Sequence, residues 1–488
     1  MAAPDGLKGA PGLRAQAIAG ARWTLASMLA RTGLQVAQVA LLARLLEPGD
    51  FGVMAIAMSA LSIVQIFGDL GVSNALFSRG AVTPAQLSSL YWLNIAASVA
   101  LAAALLAAAP WLAALYGAPA LEGVLALGAA VLVAGASWQQ LRVRAEKELQ
   151  FRPVALLEIA ASAAGLGAAV SLALAGAGPR ALMGGLLAAT LAGAALAWLL
   201  LADGWRPMLR MRLSEVREFL PFGAHVVGGE LANALGSQLD ILLGARTLGG
   251  TATGLYSLPR NLCLQLVGLV NPVVTRVGLP VLAKARDNPA LLRGIYLQAV
   301  RMTASVNLPL FAALALFAPE AVALLFGPQW DGAATPLRAF AAWAAMRAAI
   351  NPVGSLAIAC GRAGLLLAWN LSAIPVLAIA SVLGARHGPG GLAAALALWM
   401  VVALLAHWAV LVRPLCGAAA SAYFAQLAVP AALAAIAAGA GALAALPFTD
   451  PAARVAAGGI AGAAAYLALS RAFNRAWLDT IVELVRPR

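Results

Sequence analysis

Charge is what this sequence most conspicuously lacks. Only 10% of its 488 residues are Asp, Glu, Lys or Arg, against about 25% in an ordinary soluble protein. With 62% hydrophobic residues and a mean hydropathy of +0.89, too few charges exist to coat a water-facing globule. A soluble fold is excluded, and a lipid-facing exterior is required. Cysteine is equally scarce: Cys263, Cys360 and Cys416 each sit in an apolar run, which implies neither a disulfide framework nor a metal set. His225, His387 and His407 are too far apart to supply one, and no cofactor is expected. Lysine occurs only as Lys8, Lys147 and Lys284. In a chain this rich in Ala and Gly, the preference for arginine reads as compositional bias, not phosphate recognition. The net charge of +13 is assigned to positive charge retained on the cytoplasmic side of a membrane, not to nucleic-acid binding.

What the chain does have is long apolar runs. One span needs roughly 20 such residues. Runs fall near 22–45, 52–77, 86–109, 120–140, 153–176, 180–202, 217–245, 252–282, 295–318, 333–358, 363–384, 391–412, 420–446 and 453–472. The expected fold is therefore all-α and polytopic, with about 14 transmembrane helices. Residues 1–20 are polar and lead into a stretch longer than a signal-peptide core, so they are read as a cytoplasmic segment before an uncleaved first span. Arginine-rich loops follow spans 4, 6 and 8 (Arg142, Arg144, Lys147 and Arg152; Arg206, Arg210, Arg212 and Arg217; Lys284, Arg286 and Arg293). The opposite loops are poorer in Lys and Arg, and the alternation puts both termini in the cytoplasm. The longest loops are about 15 residues, and neither a carboxylate pair nor a metal-spaced cluster is seen. Hence the chain is not read as an enzyme, neither a glycan polymerase nor a glycosyltransferase.

The sequence Ala43-Arg44-x-Leu46, then Gly52, recurs as Ala245-Arg246-x-Leu248, then Gly254. The recurrence implies two parallel halves of six spans, with a binding site between them. The domain reading is an N-lobe at 21–205, a C-lobe at 206–415, spans 13 and 14 at 416–474 and a cytoplasmic tail at 475–488.

Polar residues inside the runs fall on helical stripes. Span 1 carries Thr24, Ser27, Arg31, Gln35 and Gln38; span 2 carries Ser59, Ser62, Gln65 and Asp69. Span 7 carries Glu230, Asn233, Ser237 and Asp240, span 8 carries Arg260, Asn261, Gln265, Asn271 and Arg276, and span 10 carries Arg347, Asn351 and Ser355. Ionisable groups in a span usually face protein or water, so a hydrated, cationic cavity is expected between the lobes. Arg31, Arg260, Arg347, Gln35, Gln38, Asn233 and Asn351 are its expected lining, with snorkelling or a local salt bridge as the competing reading for Arg31 and Arg260. Arg22 and Arg276 are read as snorkelling. Asp240 and Glu230 either neutralise those arginines or couple transport to an ion such as H+ or Na+. The Ser, Asn and Gln residues could equally serve as helix-to-helix glue. Asp69-Leu70-Gly71 reads as a helix-end feature, and His225 as a weak proton-relay candidate. Guanidinium donors in a low-dielectric cleft suit an anion, and a lipid-linked diphosphate sugar offers one.

The stretch Leu41-Leu42-Ala43-Arg44-Leu45-Leu46-Glu47-Pro48-Gly49-Asp50-Phe51-Gly52 resembles the first-loop signature of bacterial polysaccharide flippases, as does Phe67-Gly68-Asp69-Leu70-Gly71-Val72-Ser73-Asn74-Ala75-Leu76, running to Arg79. Further pieces are Leu149–Arg152, Leu239–Gly244, Gly254–Leu258, Leu324-Leu325-Phe326-Gly327-Pro328-Gln329-Trp330, Asn351–Ser355 and Gly361-Arg362. Together, across roughly residues 20–415, they resemble the colanic-acid-exporter and teichuronic-acid-exporter branch of the polysaccharide transporters. That branch belongs to the multidrug/oligosaccharidyl-lipid/polysaccharide (MOP) superfamily. The resemblance implies a V-shaped bundle of two six-helix lobes plus two extra C-terminal helices, working by alternating access in the bacterial inner membrane. It implies transport of undecaprenyl-diphosphate-linked glycan units, in company with membrane lipid and the polysaccharide polymerase and export machinery. In related lipid II flippases, arginines on spans 1, 2 and 8 bind diphosphate. Arg31, with Arg22, and Arg260 match two of these by location, whereas span 2 has no interior arginine. A cation or drug antiporter of the same superfamily is the alternative, although Arg31, Arg260 and Arg347 against Glu230 and Asp240 tilt the charge away from it.

Overall fold

The computed structural model describes residues 11–69, 83–208, 212, 220–475 and 477–479. Outside them lie residues 1–10, Leu70–Arg79 of the second quoted motif, Arg210, Arg217, Arg486 and Arg488, together with the side chains of Asp69, His225 and Arg276.

Helices account for nearly all of the described residues, and no strand occurs among them. In chain order they are α1 (Pro11–Leu45), α2 (Pro48–Asp69), α3 (Pro84–Tyr116), α4 (Ala120–Lys147), α5 (Phe151–Leu174), α6 (Pro179–Leu200), α7 (Leu220–Leu248) and α8 (Gly250–Lys284). There follow α9 (Pro289–Leu316), α10 (Ala318–Leu325), α11 (Ala334–Ile350), α12 (Val353–Ala359), α13 (Ala363–Ala385), α14 (Gly388–His407), α15 (Arg413–Cys416), α16 (Ala420–Ala445) and α17 (Pro451–Phe473). Among the described residues, eleven helices are long and apolar enough to cross a membrane, with α14 and α15 counted as one continuous span. Large apolar side chains such as Leu199, Leu398 and Ile460 point outward and are more than two-thirds exposed. The protein is a multi-pass helical membrane protein.

The helix starts follow from local chemistry. Thr83 caps α3 in a reciprocal box: its Oγ1 accepts from Gln86 N at 3.2 Å, and Gln86 Oε1 accepts from Thr83 N at 3.0 Å. Asn288 caps α9 and Asp450 caps α17 through bonds from Leu291 N at 3.1 Å and Ala453 N at 2.8 Å. A proline follows each cap at the first helical position, where no partner for its missing N–H is needed.

The run expected as one span at 333–358 is two helices, α11 and α12, broken at Asn351-Pro352. Proline cannot donate to the preceding turn, so the ladder stops there. The motif Phe326–Trp330 is a corner: Gly327, at φ 99, lets the chain leave α10, and Trp330 packs fully buried at 5.9 Å from the Phe326 ring. It is a packing device.

The chain divides into two compact units, Met1–Leu235 and Gly236–Arg488. In the first, α1 packs on α5, α2 and α3 on α4, and α4 and α5 on α6. The segment after α6 is tied across α3 by Trp92 Nε1 donating to Met208 O at 2.8 Å and by Arg212 N donating to Ser89 Oγ at 3.2 Å. In the second, α9 packs on α11 and α16, α14 on α11 and α13, α8 on α11, and α16 on α17. The last helix is locked to the rest of this unit by polar bonds: Tyr466 OH donates to Ser305 O at 2.7 Å, Arg301 Nε to Oδ1 of Asn474, just after α17, at 2.7 Å, and Arg454 pairs with Glu320 at 2.7 Å. The repeated positions have like surroundings, with Ala43 and Ala245 both buried and Arg44 and Arg246 both exposed.

Close helix approach depends on small residues. A Cβ on Gly185 of α6 would lie 2.5 Å from Ala169 Cβ and 2.9 Å from Gly165 O of α5, and one on Gly441 of α16 would lie 2.6 Å from Gly458 O of α17. Gly185→Leu is expected to cost about 1–3 kcal/mol by overpacking and to lower the melting temperature of the purified protein. Gly167→Leu, at a position with open space beside it, leaves the melt unchanged; equal melts for the two variants would refute the packing account.

Candidate functional site

In the first unit, Arg31, Gln35 and Gln38 share one face of α1, at i, i+4 and i+7, and all three line a cavity of about 390 Å³. Trp138 and Arg142 of α4, Glu158 and Ser162 of α5, Thr190 of α6 and Met54 and Met58 of α2 complete its functional walls. Glu158 organises the charges. Its Oε2 accepts from Ser27 Oγ at 2.9 Å and lies 3.0 Å from Arg31 Nη1, while its Oε1 lies 3.2 Å from Arg142 Nη2. Arg142 Nε also donates to Glu146 Oε1 at 2.8 Å. The Glu158 side chain is 14% exposed, and those of Arg31 and Arg142 are 39% and 42% exposed.

Sequence reasoning overlooked Glu158 and counted Arg142 with the loop charges. The signal was available: an acidic residue inside the run 153–176 is costly unless a cation meets it.

In the second unit, Asp240 of α7 and Arg260 of α8 find each other. Arg260 Nε donates to Asp240 Oδ2 at 2.6 Å and its Nη2 to Oδ1 at 3.1 Å, with a further short bond from Nη2 to Ser237 O. Tyr256 OH donates to Asp240 Oδ2 at 2.5 Å. Both charged side chains are buried, at 7% and 8% exposure. A relay of rings leads from this cluster to Arg347: Tyr256 meets Phe340 at 5.0 Å, Phe340 meets Trp343 at 6.0 Å, and the Arg347 guanidinium stands 5.1 Å over the Trp343 ring. Arg347 and Asn351 are exposed, as are Glu230 and Asn233 on α7. The structure thus gathers Arg31, Gln35 and Gln38 in one cavity and joins Asp240 to Arg260.

The two arginine clusters differ in what they can do. Arg260 has a bidentate carboxylate, a phenol and a carbonyl around it, so the pair is a closed tie between helices. Arg31 spends one contact on Glu158, and Arg142 one on Glu158 and one on Glu146; both line the cavity and keep donors beyond those contacts, an arrangement that suits an oxyanion. Cys263, Cys360 and Cys416 are free thiols.

A polytopic helical bundle with cationic and amide side chains lining an internal cavity defines a membrane carrier class rather than a soluble binding module. Residues 41–335 match the model of a family described as polysaccharide biosynthesis protein, and the chain belongs to that family. It is similar to the teichuronic acid biosynthesis protein TuaB of Bacillus subtilis (strain 168), with 29% identity over 74% of each chain. It is also similar to the lipopolysaccharide biosynthesis protein WzxC of Escherichia coli (strain K12), with 26% identity over 86% of this chain and 85% of that one. Its fold resembles that of the lipid II flippase MurJ in an inward closed conformation, with a TM-score of 0.76 at 14% identity, over 94% of this chain and all of that one.

Breaking the closed tie has a defined cost. Arg260→Ala leaves a buried carboxylate without its cation and is expected to destabilise by about 3–5 kcal/mol, read as a lower melting temperature. Replacing both partners by apolar residues, Asp240→Leu with Arg260→Met, recovers most of the loss; a double variant no better than the single one would show that the charge pairing is not the cause.

Proposed function

We propose that this protein is a flippase that moves undecaprenyl-diphosphate-linked oligosaccharide units from the cytoplasmic to the periplasmic leaflet by alternating access, for exopolysaccharide, O-antigen or capsule biosynthesis. The observation that carries this reading is the family match over residues 41–335. The relatives' names point the same way: TuaB and WzxC are named for the biosynthesis of surface glycans, and MurJ, which shares the fold, is named as a lipid II flippase. The chemistry of the first-unit cavity fits the substrate class. Its guanidiniums suit the diphosphate, Gln35 and Gln38 suit sugar hydroxyls, and a membrane-embedded protein lets the lipid tail stay in the bilayer.

In this reading the protein resides in the bacterial inner membrane with both termini cytoplasmic, and hands its glycan to polymerase and export machinery. Arg347, Asn233 and Asn351, which are exposed, belong to the substrate path in the second half of the chain, and Glu230 is the carboxylate through which H+ or Na+ would couple; Arg260 and Asp240, first expected in those two roles, are spent on each other. The drug antiporter alternative asks for an acidic cavity, whereas the first-unit cavity presents two arginines to one glutamate.

The test is genetic. Deleting the gene is expected to remove one surface polysaccharide, and Arg31→Ala is expected to reduce its restoration at least tenfold while the variant remains in the membrane at normal amounts. Drug efflux lost on deletion with surface glycan intact would overturn the proposal; normal glycan with Arg31→Ala would overturn the site assignment alone.

A further inference from the structure

We infer that Glu158 is a built-in stand-in for the substrate's phosphate: it occupies Arg31 and Arg142 in the first-unit cavity until an organic diphosphate displaces it. Only the identity of the anion rests on the flippase reading; the displacement itself rests on the geometry.

One carboxylate bridges two guanidiniums, oxygen by oxygen, at 3.0 Å to Arg31 and 3.2 Å to Arg142. That is the acceptor pattern of a phosphate group, supplied by the protein's own chain. Each arginine gives Glu158 a single close contact although a guanidinium carries five donors in a fork, so neither is saturated. The exposures favour exchange: the side chains of Arg31 and Arg142 are more accessible than that of Glu158. Arg260 makes the contrast, since its donors are spent on Asp240 and Ser237 and its side chain is 7% exposed.

The charges agree. The charged lining is Arg31, Arg142 and Glu158, and Arg142 has a second carboxylate partner in Glu146. Withdrawal of Glu158 therefore leaves Arg31 without a carboxylate and Arg142 held by Glu146 alone, and an anionic diphosphate group can take the vacated contacts of both. Neutral polar groups line the same walls: Gln35 and Gln38 can donate and accept, and Ser162 and Thr190, whose hydroxyls donate to Glu158 O and Leu186 O at 2.8 Å, keep lone pairs for sugar hydroxyls. Displacement also reaches the packing, because Ser27 and Arg31 on α1 both hold Glu158 on α5. An anion that takes Arg31 leaves Ser27 alone to hold Glu158 from α1.

The experiment is calorimetric titration of the purified full-length protein in lipid nanodiscs with two probes, inorganic pyrophosphate and the fifteen-carbon prenyl diphosphate. Glu158→Gln is expected to bind both about tenfold more tightly than the unsubstituted protein. Adding Arg31→Gln or Arg142→Gln to Glu158→Gln returns the affinity at least tenfold in the other direction. Affinities for Glu158→Gln equal to or weaker than those of the unsubstituted protein, with a matching melt, overturn the inference. Should Glu158→Gln fail to fold, Glu158→Asp carries the test: its shorter arm reaches the two arginines less well and tightens binding, and unchanged binding overturns the inference. Tightening toward pyrophosphate without any response to the prenyl diphosphate upholds the displaced carboxylate and removes the lipid-linked substrate, whereas unchanged binding with intact polysaccharide export removes the displaced carboxylate alone.

Discussion

A charge buried among hydrophobic helices must meet its opposite, and the polar architecture of this protein follows from that requirement. Glu158 draws Arg31 and Arg142 to it, Asp240 closes on Arg260, and Glu320 takes Arg454. Each pairing joins helices that are separate elements of the chain, so each acts as a positional constraint on the bundle as well as a neutralised charge. The pairs divide by exposure. Asp240 and Arg260 are sealed and hold helices together, while Arg31 and Arg142 around Glu158 line a cavity with their side chains partly exposed. The same chemistry closes off one cluster and leaves the other accessible, and the difference lies in how many donors remain uncommitted.

Those side chains come within reach because the backbones do. Helix pairs in lipid gain nothing from hiding apolar surface, so they associate through close packing of small residues and a few polar bonds. Gly165 and Gly185 let α5 approach α6, one wall of the cavity around Glu158, against another. Gly441 and Gly458 do the same for α16 and α17, and Tyr466, Asn474 and Arg454 then fasten α17 to α9 and α10. A distinctive stretch of sequence, Phe326–Trp330, has its explanation in this packing: a left-handed glycine and a buried indole turn a corner.

Membership of the polysaccharide biosynthesis family and a MurJ-like fold frame the chemistry without assigning it to residues. A carrier for an anionic, sugar-bearing lipid needs cations that are held in place yet able to let go. Arg31 and Arg142 are held by a carboxylate that can be replaced by a better acceptor, which is a cheaper arrangement than leaving two guanidiniums unpaired in a low-dielectric site.

Much was legible in the sequence. The apolar runs located the helices because hydrocarbon demands long uncharged stretches with internally satisfied backbones. The face of α1 bearing Arg31, Gln35 and Gln38 was readable because helical spacing is local. The break at Asn351-Pro352 inside one apolar run was not, since a proline can also be accommodated within a helix, as Pro110 and Pro309 are. Partner choice was visible only as alternatives, with Asp240 and Glu230 offered together as neutralisers of Arg31 and Arg260. Nothing in the spacing of Ser27, Arg31, Arg142 and Glu158 shows that they converge, or that Asp240 is spent on Arg260. Sequence alone determined which residues a membrane could not tolerate unpaired; only the packing of helices remote along the chain decided which of them meet, because charge pairing acts over a few ångströms in space and is blind to separation in sequence.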